Sequence, residues 1–282
     1  MLNNYFIEKK MDFNNKSYNV HMHDLYEINF ILTDGVDILV NDTMYTSKCG
    51  DIFIFPPFSF HRANFNHVCY NRFLIYFSAN AISTAIGVLT PALNFLKNVQ
   101  INVIHLNKKD INEMTNLLEK AFATQNKHGL FSDFDNICVF GNILSFMISK
   151  IDMEKCLNPA RTHDNDISKI LSYITENIDG ELTIESICNE FNISKTTLWS
   201  MIKNATGIST KEYILKKRIS LAMDLLINDM SVTEVSNRCG FNSYAHFIRT
   251  FTKIVGISPY KYGKRSLYVR DSLIPADLSE QN

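Results

Sequence analysis

Hydrophobic and polar positions follow two different periodicities along the 282-residue chain, and the change from one to the other divides the chain into two parts. Between Asn19 and Phe77, short runs rich in Val, Ile, Phe and Tyr are separated by turn-forming residues; the runs are YEINFIL, VDILV, TMYTS, DIFIF and RFLIYF. Short β-branched and aromatic runs bounded by Gly, Pro, Asn or Asp are typical of strands. The first part is therefore predicted to form a small β-barrel or sandwich.

Two helical patterns and a break follow these strands. Apolar residues recur at spacings of three and four from Asp110 to Gln125, and the stretch from Phe134 to Met153 is apolar almost all round. We expect two helices here, the second largely buried. The segment from Lys155 to Asp166, KCLNPARTHDND, is polar, contains a proline and has no periodicity, so it is predicted to be a domain linker.

The second part opens with one helix and then repeats a helical unit. ISKILSYITENI carries a single apolar stripe, which predicts the opening helix. In the first copy a short helix, Ile184 to Phe191, is followed by a turn and a second helix from Ser194; in the other copy Val232 to Cys239 is followed by a turn and a helix from about Ser243. Two short helices joined by a tight turn form a helix-turn-helix unit.

The two copies match one another residue by residue. The second copy repeats the first at an offset of 49 residues: Phe247, Phe251 and Gly256 correspond to Leu198, Ile202 and Gly207. Between the copies, Thr210 to Ile227 contains no proline or glycine and is predicted to be one helix of about 27 Å. Since one DNA turn is about 34 Å, such a rod can place two reading heads on successive major grooves.

Each second helix has a polar face opposite its apolar anchors. In the second copy Phe247, Phe251 and Ile254 anchor the helix, and an arginine among small residues lies on the other side. That side is expected to contact DNA, although a solvated Arg249 and a Trp199 packed on the connecting helix remain alternatives. The predicted DNA-binding residues are Lys195, Thr196, Trp199, Ser200, Lys203, Ser243, Tyr244, Ala245, His246, Arg249 and Lys253.

The stretch GFNSYAHFIRTFTKIVGISPYKY resembles the C-terminal signature of AraC/XylS-type transcription regulators, and the resemblance covers about residues 167 to 265. It implies a tandem helix-turn-helix DNA-binding domain, commonly paired with an N-terminal cupin-like sensor. It also implies base or phosphate contacts from Thr196, Trp199 and Ser200 in the first unit, and from Tyr244, Ala245, His246 and Arg249 in the second. The chain departs from the pattern at Ser200, where long basic or polar side chains are common, and at Thr252, where lysine is frequent.

A group of histidines stands out among the strands. Alternation places His21 and His23 on one face, and a barrel can bring Glu27 and His61 beside them. Three imidazoles and a carboxylate would suit a divalent transition metal. The spacing resembles the two cupin motifs over about residues 19 to 80, with Phe58 where cupins usually have glycine. The four residues are assigned to an effector pocket, with a metal site as the alternative; no metal or cofactor is expected.

Composition narrows the classes of protein. No apolar run approaches the length of about 18 residues that a membrane helix needs, and the first residues lack a signal peptide, so a cytoplasmic protein is expected. The net charge of −1 divides into −3 for residues 1–166, +4 for 167–268 and −2 for 269–282. This balance disfavours an indiscriminate polyanion binder or DNA-architectural protein. Six cysteines without zinc-like spacing are expected to be reduced thiols, most of them in the core.

The combined expectation is an α+β protein of two domains. Residues 1–154 form a cupin-like β-barrel followed by helices, for sensing and dimerisation; 155–166 are a linker, 167–268 an all-α tandem helix-turn-helix domain, and 269–282 a tail. The function expected is a non-enzymatic, sequence-specific transcription regulator, an activator by family resemblance. The expected partners are double-stranded DNA, RNA polymerase, a small-molecule effector and a second copy of the chain in a homodimer. No association with a membrane is expected. The main alternative is a metal-dependent cupin enzyme whose C-terminal helices only assist assembly.

Overall fold

The computed structural model describes residues 5–13, 18–23, 25–65, 68–77, 103–125, 132–151, 166–227 and 230–265. The strands of these segments are β1 (Tyr5–Asp12), β2 (Tyr26–Ile31), β3 (Asp37–Val40), β4 (Thr43–Thr46), β5 (Asp51–Phe55), β6 (His61–Asn64), β7 (Tyr70–Phe77) and β8 (Val103–His105). The helices are α1 (Lys108–Thr124), α2 (Ser132–Ser149), α3 (Asp166–Glu176), α4 (Ile184–Phe191), α5 (Lys195–Thr206), α6 (Thr210–Ile227), α7 (Val232–Arg238), α8 (Tyr244–Val255) and α9 (Pro259–Arg265).

The N-terminal part consists of two open antiparallel sheets. One has the strand order β1-β7-β2-β5-β8 and the other β4-β3-β6. Strand β2 lies in the middle of the larger sheet and pairs on both sides, with Ile28 opposite Ile54 and Ile75, so all six of its residues are buried. The sheet-rich domain is as expected, but the described strands do not close into one barrel.

Helices α1 and α2 cover one face of the larger sheet. Met114, Leu118 and Ala121 of α1 are fully buried in a core that the sheet and α2 share. The ring of Tyr5 in β1 stacks on Phe140 of α2 with 4.6 Å between centroids. Apolar surface removed from water in this way is the main stabilising contribution to the domain.

Several expectations need correction. Three strands, β1, β6 and β8, lie outside the predicted runs. Helix α2 ends at Ser149, before the predicted Met153, which lies outside the described residues; it also buries only one side, and Phe134 is 66% exposed. The described cysteines are free, as expected, but only Cys188 and Cys239 are buried, so the core role expected for most was wrong. Apart from Asp166, the predicted linker lies outside the described residues, as does the tail 269–282.

The C-terminal part is helical throughout, and α4 and α6 have the predicted bounds. Helix α6 runs between two small cores. One core buries Leu198 and Ile202 of the first helix-turn-helix unit, and the other buries Phe247 and Phe251 of the second. The first core also contains Val20, Leu39 and Phe60 from the N-terminal part. The two parts of the chain are thus packed together through a shared apolar interface.

Candidate DNA interface and N-terminal pocket

Capping and turn residues fix where the helices of the first helix-turn-helix unit begin and end. Thr183 and Ser186 form a capping box at the start of α4, which satisfies backbone N–H groups that the helix leaves free. Asn192 ends α4 in the left-handed conformation, with φ of 50°, a region that asparagine tolerates better than most residues. The Ser194 hydroxyl then accepts from the Thr197 N–H and starts α5.

The second unit repeats this construction. The Ser231 hydroxyl caps α7, Gly240 takes the turn with φ of 67°, and the Ser243 hydroxyl accepts from the His246 N–H at 3.3 Å to start α8. A glycine is favoured at the turn because φ is positive there. Phe247 and Phe251 then fix α8 by burying their whole side chains. The two recognition helices, α5 and α8, are therefore held by the same kinds of contact.

The predicted DNA-binding side chains lie on the outer faces of α5 and α8. All of them are exposed except Ser200, which is half-buried. Trp199 is 53% exposed and Tyr244 50%, whereas their neighbours Leu198 and Phe247 are fully buried. Trp199 therefore does not pack away on the connecting helix. An exposed aromatic ring on a helix that carries its own buried anchors is available for a partner.

Two of the predicted lysines have partners within the chain. Lys195 forms an exposed ion pair with Glu185 of α4, and Lys203 Nζ donates to the Gly207 carbonyl at 2.5 Å, at the end of its own helix. Exposed ion pairs contribute little stability, so both lysines can exchange these partners for phosphates. Arg249 remains exposed in the middle of α8.

The N-terminal part contains a partly open cavity of about 570 Å³. Three residues of the predicted cluster, His21, Glu27 and His61, line this cavity. The wall also contains polar residues that were not predicted from the sequence, which are Lys10, Tyr18, Asn29, Arg62, Tyr70, Arg72 and Tyr76. Asn29 lies two residues after Glu27 in β2, and that alternation was the available signal.

The four residues of the predicted cluster lie together, and three of them, His21, Glu27 and His61, line this cavity. Candidate ligand atoms of His21, His23, Glu27 and His61 all lie within 4.8 Å of one another. The backbones of His21 and His61 exchange two hydrogen bonds at 3.1 Å, which brings the two sequence motifs together. Phe58 takes the left-handed conformation, φ 64°, at the position where cupins have glycine, and the turn before His61 is made all the same.

The hydrogen bonds of the three imidazoles indicate their tautomers. The Nδ1 atom of each ring lies at 3.0 to 3.1 Å from a backbone carbonyl, at Asn19 for His21, Leu25 for His23 and Ser59 for His61. A carbonyl only accepts, so each Nδ1 carries the hydrogen and each Nε2 of a neutral ring presents a lone pair. Carbonyl contacts of this kind orient histidines that bind metal ions.

Two of these Nε2 atoms, those of His23 and His61, lie close to another acceptor. Glu27 Oε2 lies 2.8 Å from His23 Nε2 and 3.2 Å from His61 Nε2. His61 Nε2 is buried and, despite that short distance, lacks hydrogen-bond geometry to any partner. Two acceptors at such a distance repel unless a proton or a cation lies between them. The donor set therefore fits either an added proton or a divalent transition metal.

Burial and charge perturb the titration of the cluster. Burial, followed by the charge of His61, lowers the pKa of His21 to about 3. Burial alone would raise the pKa of Glu27, but the positive charge that His61 and His23 carry when protonated outweighs it and holds that pKa well below its usual value. Above neutral pH the site therefore presents a neutral His21 ring and a charged Glu27 carboxylate.

Comparison with known proteins adds to this geometry. A helix-turn-helix domain family matches residues 187–265. The Msm operon regulatory protein of Streptococcus mutans is 24% identical over 259 residues, 88% of this chain and 87% of that protein. The transcriptional activator CfaD of Escherichia coli is 25% identical over 179 residues, 60% of this chain and 67% of that protein. The crystal structure of ToxT from Vibrio cholerae O395 is 16% identical, with 94% and 99% coverage and a TM-score of 0.38.

The matched domain coincides with α4 to α9, the helices that carry both reading heads. The matches support a transcription regulator of the AraC/XylS type. The chain is accordingly a DNA-binding transcriptional regulator, as the sequence predicted. Among the described residues, no helix is long and apolar enough to cross a membrane.

Proposed function

We propose that this regulator binds an asymmetric operator half-site with both heads, α5 in one major groove and α8 in the next, and that it activates transcription. The observation that carries the proposal is the pairing of buried anchors with exposed polar faces on both helices. The 18 residues of α6 span about 27 Å and separate the heads by roughly one DNA turn.

Individual side chains have distinct roles in this proposal. Arg249 can pair with a guanine edge through two hydrogen bonds, and Tyr244 and Trp199 can contact sugars or thymine methyl groups. Lys195, Lys203 and Lys253 supply phosphate contacts, which make the affinity depend on salt. The remaining predicted contact residues, including His246, help to set the position of each recognition helix along its groove. Activation involves RNA polymerase as the partner.

The N-terminal domain, residues 1–154, is proposed to be a cupin-like sensor that also forms a homodimer. The cavity with its polar walls supports a small-molecule effector site at His21, His23, Glu27 and His61. The exposed rings of Phe122 and Phe134, on α1 and α2, support a dimer contact through these helices. Residues 155–166 are proposed as the linker and 167–268 as the DNA-binding domain.

A metal ion is a second candidate occupant, favoured by the candidate ligand atoms of three imidazoles and one carboxylate that lie within 4.8 Å of one another. His21, His23, Glu27 and His61 would hold it. A bound transition metal would supply a positive centre that neutralises the carboxylate and orders the imidazoles. A metal-dependent enzyme would need a turnover activity as well, and the matched relatives are named as regulators, so we propose a non-enzymatic role.

Selection of genomic DNA fragments tests the main proposal. The full chain is expected to retain a small set of fragments, and hydroxyl-radical footprints on them should show protection on one DNA face over two adjacent major grooves. Retention of fragments without a shared sequence, or a footprint over a single groove, would contradict the tandem mode of reading.

Titration with Co²⁺ tests the second candidate. Cobalt bound by nitrogen and oxygen ligands in a low-symmetry site gives visible absorption, which we expect at one ion per chain and which His23→Ala should abolish. His105→Ala is the matched control, since His105 pairs with Asp51 outside the cluster. Absorption that survives His23→Ala, or that never develops, would leave the cavity to a small-molecule effector.

A further inference from the structure

In the part of the chain that the structure describes, the N-terminal domain is hydrogen-bonded to one recognition helix and not to the other, although its Met22 and Phe58 pack against the core of the second unit. The Val20 N–H donates to the Thr206 carbonyl at 2.8 Å, and Arg62 Nη1 donates to the Asn204 carbonyl at 2.6 Å. Both acceptors belong to the last turn of α5. Among the described residues, no hydrogen bond from the N-terminal domain reaches α8.

The glycines that end the two recognition helices show the same asymmetry. Gly207 and Gly256 occupy equivalent positions in the repeat and have φ of 79° and 81°. A Cβ atom on Gly207 would lie 2.6 Å from Asn19 Oδ1 and 3.3 Å from Asn19 Cα, whereas one on Gly256 would meet nothing within 4 Å. Two caps that are alike in sequence thus differ in that only the first is covered by the N-terminal domain.

Arg62 joins the end of α5 to the pocket. Its guanidinium is buried, lines the cavity, and also donates from Nε to the Tyr18 carbonyl at 2.6 Å. A buried guanidinium keeps its charge and must keep its donors satisfied. Any change in the pocket wall at Arg62 therefore changes its bond to Asn204 as well.

The segment 18–23 provides a second link between the same two places. Its residue His21 belongs to the cluster and pairs through its backbone with His61. The preceding residue, Val20, is fully buried against the first helix-turn-helix core and bonds to Thr206. Adjacent residues of one extended segment thus contact the candidate effector site and the first recognition helix.

The helices on either side of the first unit, α3 and α6, are anchored separately. Asp42 Oδ1 accepts from Thr175 Oγ1 at 3.0 Å, from the Tyr213 hydroxyl at 3.2 Å and from Lys217 Nζ at 3.0 Å. These contacts fix α3 and α6 to the N-terminal domain. If the pocket wall moves, the end of α5 can therefore shift while α3 and α6 stay fixed to the N-terminal domain.

We propose that the pocket regulates the first reading head alone: Arg62 and the segment 18–23 transmit its occupancy to the end of α5, and α8 keeps its DNA contacts unchanged. Arg62 is a positioning residue in this scheme, because it acts on DNA through α5. The inference rests on the proposed function, since it requires that both heads read DNA, and it names which head is controlled.

The glycine pair gives a matched test in the full-length chain, on the fragment retained best in genomic selection. Gly207→Ala is expected to lower affinity about fivefold or more, within the usual range of coupling between sites, and to remove protection over one of the two grooves. Gly256→Ala carries the same left-handed strain at the equivalent cap but should leave both protections in place. Asn19→Ala, which removes the clashing Oδ1, should restore part of the protection lost in Gly207→Ala.

A second variant and a measurement without DNA show whether a loss of protection is caused by misfolding. Trp199 is the only tryptophan and lies on α5, so its fluorescence reports the state of the first head. Arg62→Gln is expected to change that fluorescence and to weaken protection over the same groove as Gly207→Ala, while Gly256→Ala leaves the fluorescence as in the wild type.

The outcomes separate the inference from the proposed function. Equal losses over both grooves, or equal behaviour of the two glycine variants, would overturn selective control of the first head and leave DNA reading intact. Absence of a two-groove footprint in the wild type would instead overturn the proposed function and this inference together. An unchanged Trp199 signal in Arg62→Gln would exclude Arg62 as the link.

Discussion

At the scale of single residues, neighbouring positions on one helix have opposite environments. Leu198 is fully buried and Trp199 is 53% exposed, although they are adjacent in α5. In α8, Phe247 is fully buried and Arg249, two residues later, is exposed. A helix places successive residues about 100° apart, so anchor and contact residues can alternate within one turn. Stability and DNA recognition can therefore be changed separately.

Replacement of Arg249 with alanine should affect recognition and not stability. A bidentate arginine–guanine contact contributes about 1 to 3 kcal/mol of discrimination, so operator affinity should fall by roughly 5- to 150-fold. Binding to random DNA should change little, because one phosphate contact is the most that is lost. Competition assays with operator and random fragments measure both effects.

Arg238→Ala is the control for that charge change, since Arg238 is exposed on α7 and lies off the recognition helix. It should lower both affinities by a similar, small factor. If Arg249→Ala behaves in the same way, Arg249 contacts the DNA backbone and does not read a base.

At the scale of elements, the caps of the recognition helices perform two tasks. Ser243 was predicted to contact DNA, and the structure shows that its hydroxyl also accepts from the His246 N–H to start α8. An N-cap hydroxyl typically contributes about 1 kcal/mol. The end of the helix that is proposed to enter a groove is thus also the end that depends on this cap.

Substitution at Ser243 can separate the two tasks. Ser243→Ala should lower the free energy of unfolding by about 1 kcal/mol, because the cap is lost. Ser243→Asp should keep the stability, since aspartate caps as well as serine, but should weaken DNA binding through repulsion between its carboxylate and phosphates. Chemical denaturation and operator titration measure the two quantities. If Ser243→Asp binds DNA as tightly as the wild type, Ser243 lies away from the phosphates.

The helices were predictable and several strands were not, for physical reasons. Helix signals are local: α6 was recognised from its apolar spacing and the absence of proline and glycine, and its bounds agree with the prediction. Strand β6, with the sequence HRAN, has no β-branched residue and no Phe, Tyr or Trp, and it exists because it pairs with β3. Strand β8 has three residues and depends on β5 in the same way.

At the scale of the whole molecule, one carboxylate makes three of the polar contacts between the two parts of the chain. Asp42 lies in the turn between β3 and β4, and its partner Lys217 has a side chain only 9% exposed, with Nζ 5.2 Å from the centroid of the Phe60 ring. Burial, followed by the charge of Asp42, raises the pKa of Tyr213 well above its usual value, so the phenol remains a donor. The interface is therefore both charged and largely shielded from water.

Asp42→Ala should uncouple the two parts of the chain. Removal of one partner from a buried ion pair leaves the other charge uncompensated, at a cost of about 3 kcal/mol. We expect thermal unfolding to separate into two transitions, of which one corresponds to the helix-turn-helix domain. Differential scanning calorimetry would show this. Asp37→Ala is the control, because the Asp37 carboxylate accepts from Thr46 inside the smaller sheet, and should leave the number of transitions unchanged.

The sequence by itself determined the tandem helix-turn-helix domain and the membership of the histidine cluster. The helices depend on contacts between residues close along the chain, which leave a readable period, caps and turns. The histidine cluster was recognisable because few structures other than a polar binding site require three histidines and a glutamate in one place.

Only the tertiary structure decided that the sheets are open, that Arg62 lies between the cavity and α5, and that Asp42 joins α3 and α6 to the N-terminal domain. Arg62 and Asn204 are 142 residues apart, and Asp42 and Tyr213 are 171 apart. A polar side chain in a turn or strand has the same appearance in the sequence whether it faces water or a distant part of the chain. The physical reason is that burial of such a group depends on partners that only folding brings into contact.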